Sequence, residues 1–227
     1  CKPVTISPIG HPILLMPGLN DSGPDHWQTH WQRQFLDTHR VALGCWDEPD
    51  RDVWVDAIDH ALADIGAPTI IVAHSLGCHA VAHWLAQAGH DARRRVAGAL
   101  LVAPPDLWRN DLDRRLAPFA PVPALWATPP LVVVGSDNDH YCDLGTARKL
   151  ASRWSARFVN AGPFGHINAD SRIGDWPYGQ YLLASLHLEA MAHAPYSDLD
   201  GFAPPPTVNA DRYRFDQYQL SRGRPLQ

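Results

Sequence analysis

Ser75 stands within Thr69-Ile70-Ile71-Val72-Ala73-His74-Ser75-Leu76-Gly77-Cys78-His79-Ala80. A β-branched apolar run precedes it, and Val81, Trp84, Leu85 and Ala88 follow at a spacing that lays one apolar face along a helix. A strand–turn–helix with small residues two before and two after a serine is the context of a nucleophile elbow. The hydroxyl must clear the sheet edge on a sharp turn, where strand and helix approach so closely that only side chains as small as those of Ala73 and Gly77 fit. The amide of Leu76, opening the helix, then points to where an oxyanion would form. The plainer reading is a strand–helix junction with an incidental serine, and partner residues must decide between the two.

The partners are present later in the chain. Leu131-Val132-Val133-Val134-Gly135 reads as a buried strand that delivers Ser136–Tyr141 to the carboxyl end of a sheet, where open α/β folds place their chemistry. Asp139 is the first choice for an acid, with Asp137 in the same loop and Asp106 after the preceding strand as alternatives. His166, in Gly165-His166-Ile167-Asn168 past the last strand, is the first choice for a base. His187 and His193 in the terminal helix and His140 beside the acid are the other candidates. In the order Ser…Asp…His, the serine attacks a carbonyl carbon, the histidine carries its proton to the leaving group, and the aspartate fixes the imidazole. A second oxyanion amide is expected from Leu19, behind Gly18 in the loop Pro17–Pro24, although an ordinary βα turn would read the same way. Asn20, His74, Trp27 and Trp108 are expected to contact substrate. With Trp46, Trp126 and Trp176 the tryptophans suggest an aromatic-lined pocket, although many of them also suit a core.

Metal hydrolysis is the competing chemistry, since the chain has 13 histidines. No H-E-x-x-H occurs, and the i, i+4 pair His79/His83 has no carboxylate within its helix, so neither metal nor cofactor is expected.

Strands alternating with helices over short connections predict an α/β class, with a mostly parallel central sheet and helices on both faces. The strands read are Ile13–Met16, Arg40–Cys45, the run before Ser75, Val96–Ala103, Leu131–Gly135 and Ala156–Asn160. The helices read are one capped by Asp25, one from about Asp52 that Gly66-Ala67-Pro68 stops, the one after Ser75, one through Leu144 and Leu150, and one over 178–194. Arg93-Arg94-Arg95 reads as a solvated helix end. The proline-rich stretch 104–130 reads as a small cap or lid over the site, in a single domain 1–194. Residues 195–227 read as an extended tail of unknown role.

With 227 residues, 45% of them hydrophobic and 19% charged, the chain can bury a sizeable core. A net charge of −5 and the lack of a basic run argue against nucleic acid, and no apolar stretch has the length of a membrane span. The four cysteines show no metal spacing; Cys45 and Cys78 read as core residues, and a reducing cytoplasm is the simplest compartment. A first residue Cys1 reads as a truncation or a removed leader, leaving an exported or lipoprotein form as the alternative. A monomer or small homo-oligomer acting on a small-molecule ester is expected, the alternative being a protein-binding module with a weak or vestigial triad.

Pro17-Gly18-Leu19, Gly23-Pro24-Asp25-His26-Trp27-Gln28, His74-Ser75-Leu76-Gly77-Cys78 and Gly165-His166-Ile167-Asn168 with Trp176-Pro177-x-Gly179 together resemble the YdeN-like serine hydrolases. This group of small α/β-hydrolases includes retinoblastoma-binding protein nine, and the resemblance covers about residues 11–190. It implies a compact α/β-hydrolase fold, the triad Ser75, Asp139 and His166, and Ala73 as an ordinary variant of the elbow. The chain departs from the pattern at Arg172-Ile173, where a glycine-containing stretch is expected. Leu43-x-Cys45-x-Asp47 faintly echoes a retinoblastoma-binding motif, but it has Asp for Glu and reads as a buried strand.

Overall fold

The structure, a computed structural model, describes residues 10–126 and 128–193. Cys1 and the tail 195–227 lie outside the described residues. Six strands, β1 (Ile13–Met16), β2 (Thr38–Arg40), β3 (Thr69–His74), β4 (Val96–Val102), β5 (Leu131–Gly135) and β6 (Arg157–Asn160), form one sheet in the order β2-β1-β3-β4-β5-β6. Every pairing is parallel. Six helices connect or flank them: α1 (Trp27–Gln34), α2 (Arg51–Ile65), α3 (Leu76–Gln87), α4 (His90–Arg93), α5 (Leu144–Arg153) and α6 (Pro177–His193).

Alternation along each strand explains the uninterrupted apolar runs. Leu14 and Met16 of β1 join Ile71 and Ala73 of β3 in a core with Trp54, Ile58 and Leu62 of α2 and Val81 and Leu85 of α3. Ile13, Leu15, Ile70 and Val72 point the other way, into a core with Trp27 and Trp31 of α1 and Leu182, Leu183 and Leu186 of α6. The inner strands β1, β3, β4 and β5 are covered on both faces, so they read as near-continuous apolar runs without polar alternation, unlike the partly polar edge strands β2 and β6.

The strand order reverses between β1 and β3, which places the chain's crevice outside the carboxyl ends of those two neighbours. Helix ends follow the expected chemistry in part. Asp50 caps α2 by accepting from the amides of Asp52 and Val53, and Gly66 closes it in the left-handed conformation. The cap of α1 is His26 rather than Asp25, its ring nitrogen accepting from Gln28 N.

The second strand is also displaced from Arg40–Cys45 to Thr38–Arg40. Among the described residues its one partner is β1, whose four residues pair Ile13 with Thr38 and Leu15 with Arg40, and Pro17 beyond them has no amide to extend the ladder. Residues 41–46 therefore leave the sheet. Cys45 is exposed instead of buried in a core, its thiol donating to Asp47, so the Leu43-x-Cys45-x-Asp47 stretch is loop and not strand. Cys78 is buried as read from the sequence.

Replacing the exposed cap, Asp50→Ala, should lower unfolding stability by about 1 kcal/mol, with an unchanged denaturant slope in urea titrations.

Candidate active site

Ser75 opens α3 with φ 53° and ψ −127°, a left-handed backbone rare for a residue with a side chain. Its amide donates to Val102 O of β4 and its carbonyl accepts from Cys78 N, so the strained residue is held from both sides. Two glycines make the turn feasible. A Cβ on Gly77 would overlap the carbonyl oxygens of Pro17 and Met16, and one on Gly18 would lie 2.7 Å from Ser75 Cβ and 3.1 Å from His74 O. The end of β1 is thus pressed directly against the start of α3.

This contact brings Leu19 beside the nucleophile. Asn20 N donates to Trp46 O, and Asn20 and Asp21 adopt positive φ, which short polar side chains tolerate best. Leu76, as first residue of α3, has an amide without an intrahelical acceptor. Leu19 and Leu76 line the same cavity as Ser75, which is where the residues of an oxyanion hole would have to stand.

Gln28 and Arg40 brace this loop from behind. The fully buried Gln28 donates from Nε2 to Val72 O in β3 and accepts from Ser22 Oγ. Arg40 donates to Asp21, Ser22 O and Thr29.

His166 Nε2 lies 2.8 Å from Ser75 Oγ, and its Nδ1 lies 2.9 and 3.1 Å from the two carboxylate oxygens of Asp139. The Asp139 side chain is 2% exposed and also accepts from Tyr141 N, so its charge is held in one orientation. The remaining acid candidates are engaged elsewhere. Asp137 accepts from Asn160 Nδ2, and Asp106 accepts from Trp108 N while lining the cavity. Among the other histidines, His187 pairs with His11 and His193 with Glu189 O.

The loop bearing His166 is fixed by its neighbours. Asn138 accepts from Gly165 N, Trp27 Nε1 donates to Ile167 O, and His74 Nε2 lies 2.9 Å from His166 O. A carbonyl only accepts, so His74 carries its proton on Nε2. Burial, and then the neighbouring His26 and His166, hold its pKa well below the usual histidine range. His26, buried and facing the same cavity, is pushed down to about 3 by burial, with Arg40, His166 and His30 adding to the effect. At the departure from the family pattern, Arg172 occupies a left-handed position (φ 51°), the conformation a glycine would adopt freely.

The cavity measures about 470 Å³ and is lined by Asn20, His26, His74, Tyr141 and, from the segment between β4 and β5, Asp106, Arg109, Leu112, Arg115 and Leu116 among others. Asn20 and His74 thus face it as read from the sequence. Trp27 and Trp108 do not. Trp27 is buried behind the His166 loop, and Trp108 is 47% exposed in a separate groove with Trp126. Trp46 packs on Trp54, and Trp176 packs on Trp27 and Trp31. The aromatic groups at the site are instead Tyr141, whose ring centre is 4.6 Å from that of His166, and the two histidines. Tyr141 was legible only as the second residue after Asp139; nothing in the spacing marked Arg109 or Arg115.

Such a chain of carboxylate, imidazole and hydroxyl can remove the serine proton as the oxygen attacks a carbonyl, and two amides can hold the resulting oxyanion. Among the described residues no cluster of three or more His, Cys, Asp or Glu side chains could hold a metal, and no helix is long and apolar enough to cross a membrane.

A parallel sheet with a serine elbow after β3, an acid after β5 and a histidine after β6 is the α/β-hydrolase fold. Residues 13–185 match a family profile described as serine hydrolase, and the chain belongs to that family. A solved structure from Pectobacterium atrosepticum described as a YdeN-like hydrolase shares 34% identity over 79% of this chain and 91% of its own, with a TM-score of 0.69. The ydeN gene product of Bacillus subtilis is 18% identical over 78% and 98%, with a TM-score of 0.61. Esterase 2 of Thermogutta terrifontis has the same fold at 13% identity over 83% and 87%, with a TM-score of 0.54. No curated protein sequence matches the chain significantly.

Two predictions follow from this packing. Gly77→Ala should force β1 and α3 apart, costing about 2 kcal/mol or more of stability and most of the reactivity of Ser75, read by thermal melts and active-site labelling. The fold should also be acid-labile. His26, and His79 of α3 at about 4, bind protons in the unfolded chain near 6.5 but in the folded chain only well below that. Stability should therefore fall as pH drops from about 6.5 towards 4, by about 1 kcal/mol per pH unit for each such site, measured by urea unfolding at stepped pH.

Proposed function

We propose that the protein hydrolyses small carboxylic esters through an acyl-enzyme on Ser75, with His166 as general base and acid and Asp139 as its orienting carboxylate. The observation that carries the reading is the unbroken hydrogen-bonded chain Asp139–His166–Ser75 opening into a closely walled cavity. Ser75 Oγ forms the bond to the acyl carbon as its proton passes to His166 Nε2. The amides of Leu19 and Leu76 stabilise the tetrahedral oxyanion. As the C–O bond breaks, His166 returns the proton to the departing alcohol. A water molecule then attacks the acyl-enzyme by the same route, releasing the acid and restoring the serine. The chain itself supplies nucleophile, base and oxyanion donors, so the chemistry asks for no cofactor.

The wall of the cavity speaks for short acyl groups. The segment 104–130, acting as a cap, contributes Arg109 paired with Asp111 and Arg115 paired with Asp113, so that much of the surface above Ser75 is charged but internally neutralised. A long alkyl chain would strip water from those pairs without replacing their hydrogen bonds. Leu112 and Leu116 leave room for a short one. A small, diffusible ester as substrate, a chain working alone or as a small homo-oligomer, and a cytoplasmic setting complete the reading.

A fluorophosphonate probe should label the wild type and not Ser75→Ala. Turnover of p-nitrophenyl acetate and butyrate should exceed that of decanoate and drop by about 10⁴-fold or more in the mutant. Thioesters, amides and lactones tested alongside would show which leaving group is preferred. Folded wild type that resists labelling would overturn the enzymatic reading in favour of a binding module.

A further inference from the structure

Helix α3, which begins at the nucleophile, carries His79 and His83 four residues apart and therefore on one face. Neither takes part in the Ser75–His166–Asp139 chain. His79 is fully buried, and its Nε2 lies 2.8 Å from Pro105 O; His83 is half-buried, and its Nε2 lies 2.7 Å from Phe119 O. Both acceptors are carbonyls, so both rings donate from Nε2. Burial lowers the pKa of each, which keeps the rings neutral and each proton committed to its carbonyl.

Pro105 and Phe119 bracket the stretch that walls the cavity from above, between them supplying Asp106, Arg109, Leu112, Arg115 and Leu116 to it. This stretch has little structure of its own: its one helical element is the 3₁₀ turn Ala117–Phe119. Its height over Ser75 must therefore come from its anchors. Two further ties lead to the loop of the acid, from Asp106 N to Tyr141 O (2.9 Å) and from Arg109 to His140 O (3.1 Å). At the Phe119 end the anchors are His83 and the packing of Phe119 on Trp54. His79 accepts a cost for its place, since its Nδ1 is buried without a hydrogen-bond partner. An apolar side chain would avoid that cost but could not hold Pro105 O.

We propose that His79 and His83 are positioning residues that clamp segment 105–119 to the helix of the nucleophile and thereby set the acyl length the site accepts. The specificity part rests on the ester-hydrolase reading above; the clamp itself does not.

The test compares full-length wild type with His83→Ala, His83→Gln and His79→Leu, each checked for folding by circular dichroism. Hydrogen–deuterium exchange reads the clamp directly. In His83→Ala, amides of 105–119 should exchange about tenfold faster, the worth of roughly one hydrogen bond, while β3 and β4 keep their protection. His83→Gln, whose amide can still donate to the carbonyl, should restore slow exchange. With p-nitrophenyl esters, His83→Ala should raise the octanoate-to-acetate ratio of kcat/KM about fivefold or more, through KM rather than kcat, and His83→Gln should return it towards wild type. Unchanged exchange in folded His83→Ala and His79→Leu overturns the clamp. Faster exchange with an unchanged acyl-length ratio overturns the specificity role. Wild type that is not labelled by a fluorophosphonate refutes the ester-hydrolase reading instead, and the exchange experiment still decides the clamp.

Discussion

The site depends on the close approach of two pieces of backbone, the end of β1 and the first turn of α3. Gly77 lets the carbonyls of Met16 and Pro17 lie against the elbow helix, and Gly18 lets the following loop lie against Ser75 itself. Because the contact is backbone on backbone, it fixes the nucleophile, the Leu76 amide and the Leu19 amide relative to one another with no flexible side chain intervening. The left-handed conformation of Ser75 costs roughly 1–3 kcal/mol, which the surrounding sheet offsets. That strain stays in place because Ser75 N and O are both bonded into the sheet and helix, while Val72 and Ala73 beneath it are wholly buried.

A second layer of buried polar groups converts this rigid junction into an aligned site. Gln28 ties β3 to the oxyanion loop, His74 holds the carbonyl of His166, and Trp27 holds the carbonyl of Ile167. His74 and Trp27 bond to backbone at or next to His166, so what they orient is the main chain that carries the imidazole. Such groups are costly to bury unless hydrogen-bonded, and an apolar replacement would leave the carbonyl partner unpaired. Their pKa shifts show the same cost from the other side, since burial pushes His26 and His74 far down and leaves them as neutral donors and acceptors. A fold that selects neutral imidazoles near its nucleophile trades resistance to acid for fixed hydrogen-bond geometry.

What the sequence disclosed and what it hid follow from the range of the forces involved. The elbow is a local event, since strand, turn and helix are contiguous, and the residue types around Ser75 announce it. The loop of His166 is similarly local, with Gly165 in the left-handed region and Asn168 capping the short turn after it. Asp139 was one of three candidates, because the distinction depends on which carboxylate meets an imidazole 27 residues away. The tryptophans misled for the same reason. Trp27 and Trp108 are amphipathic rings that suit a pocket, a core or a surface groove alike, and only the tertiary path of the chain chose among these. Cys45 and the second strand failed at an edge, where pairing ends with the short β1 and hydrophobic pattern no longer reports on burial. The i, i+4 histidines of α3 were visible as a pair, but their acceptors lie 26 and 36 residues on, beyond any local pattern.

The segment above the site follows a different logic from the sheet below it. Its charged residues pair within two positions of each other, Arg109 with Asp111 and Arg115 with Asp113. Such exposed pairs add little to stability. They do mean that these four charges on the wall are matched among themselves, so under the proposed esterase reading the size of the cavity and the positions of Leu112, Leu116 and Tyr141 carry much of the selection. Size is a property of where the segment sits, not of what it contains. A surface with little regular structure can hold a fixed height only through discrete anchors. The anchors here run to the helix of the nucleophile and to the loop of the acid, the two elements whose separation the catalytic geometry already fixes. On the clamp proposed above, substrate selection and catalytic alignment share one frame, and a change that moves α3 should disturb both together.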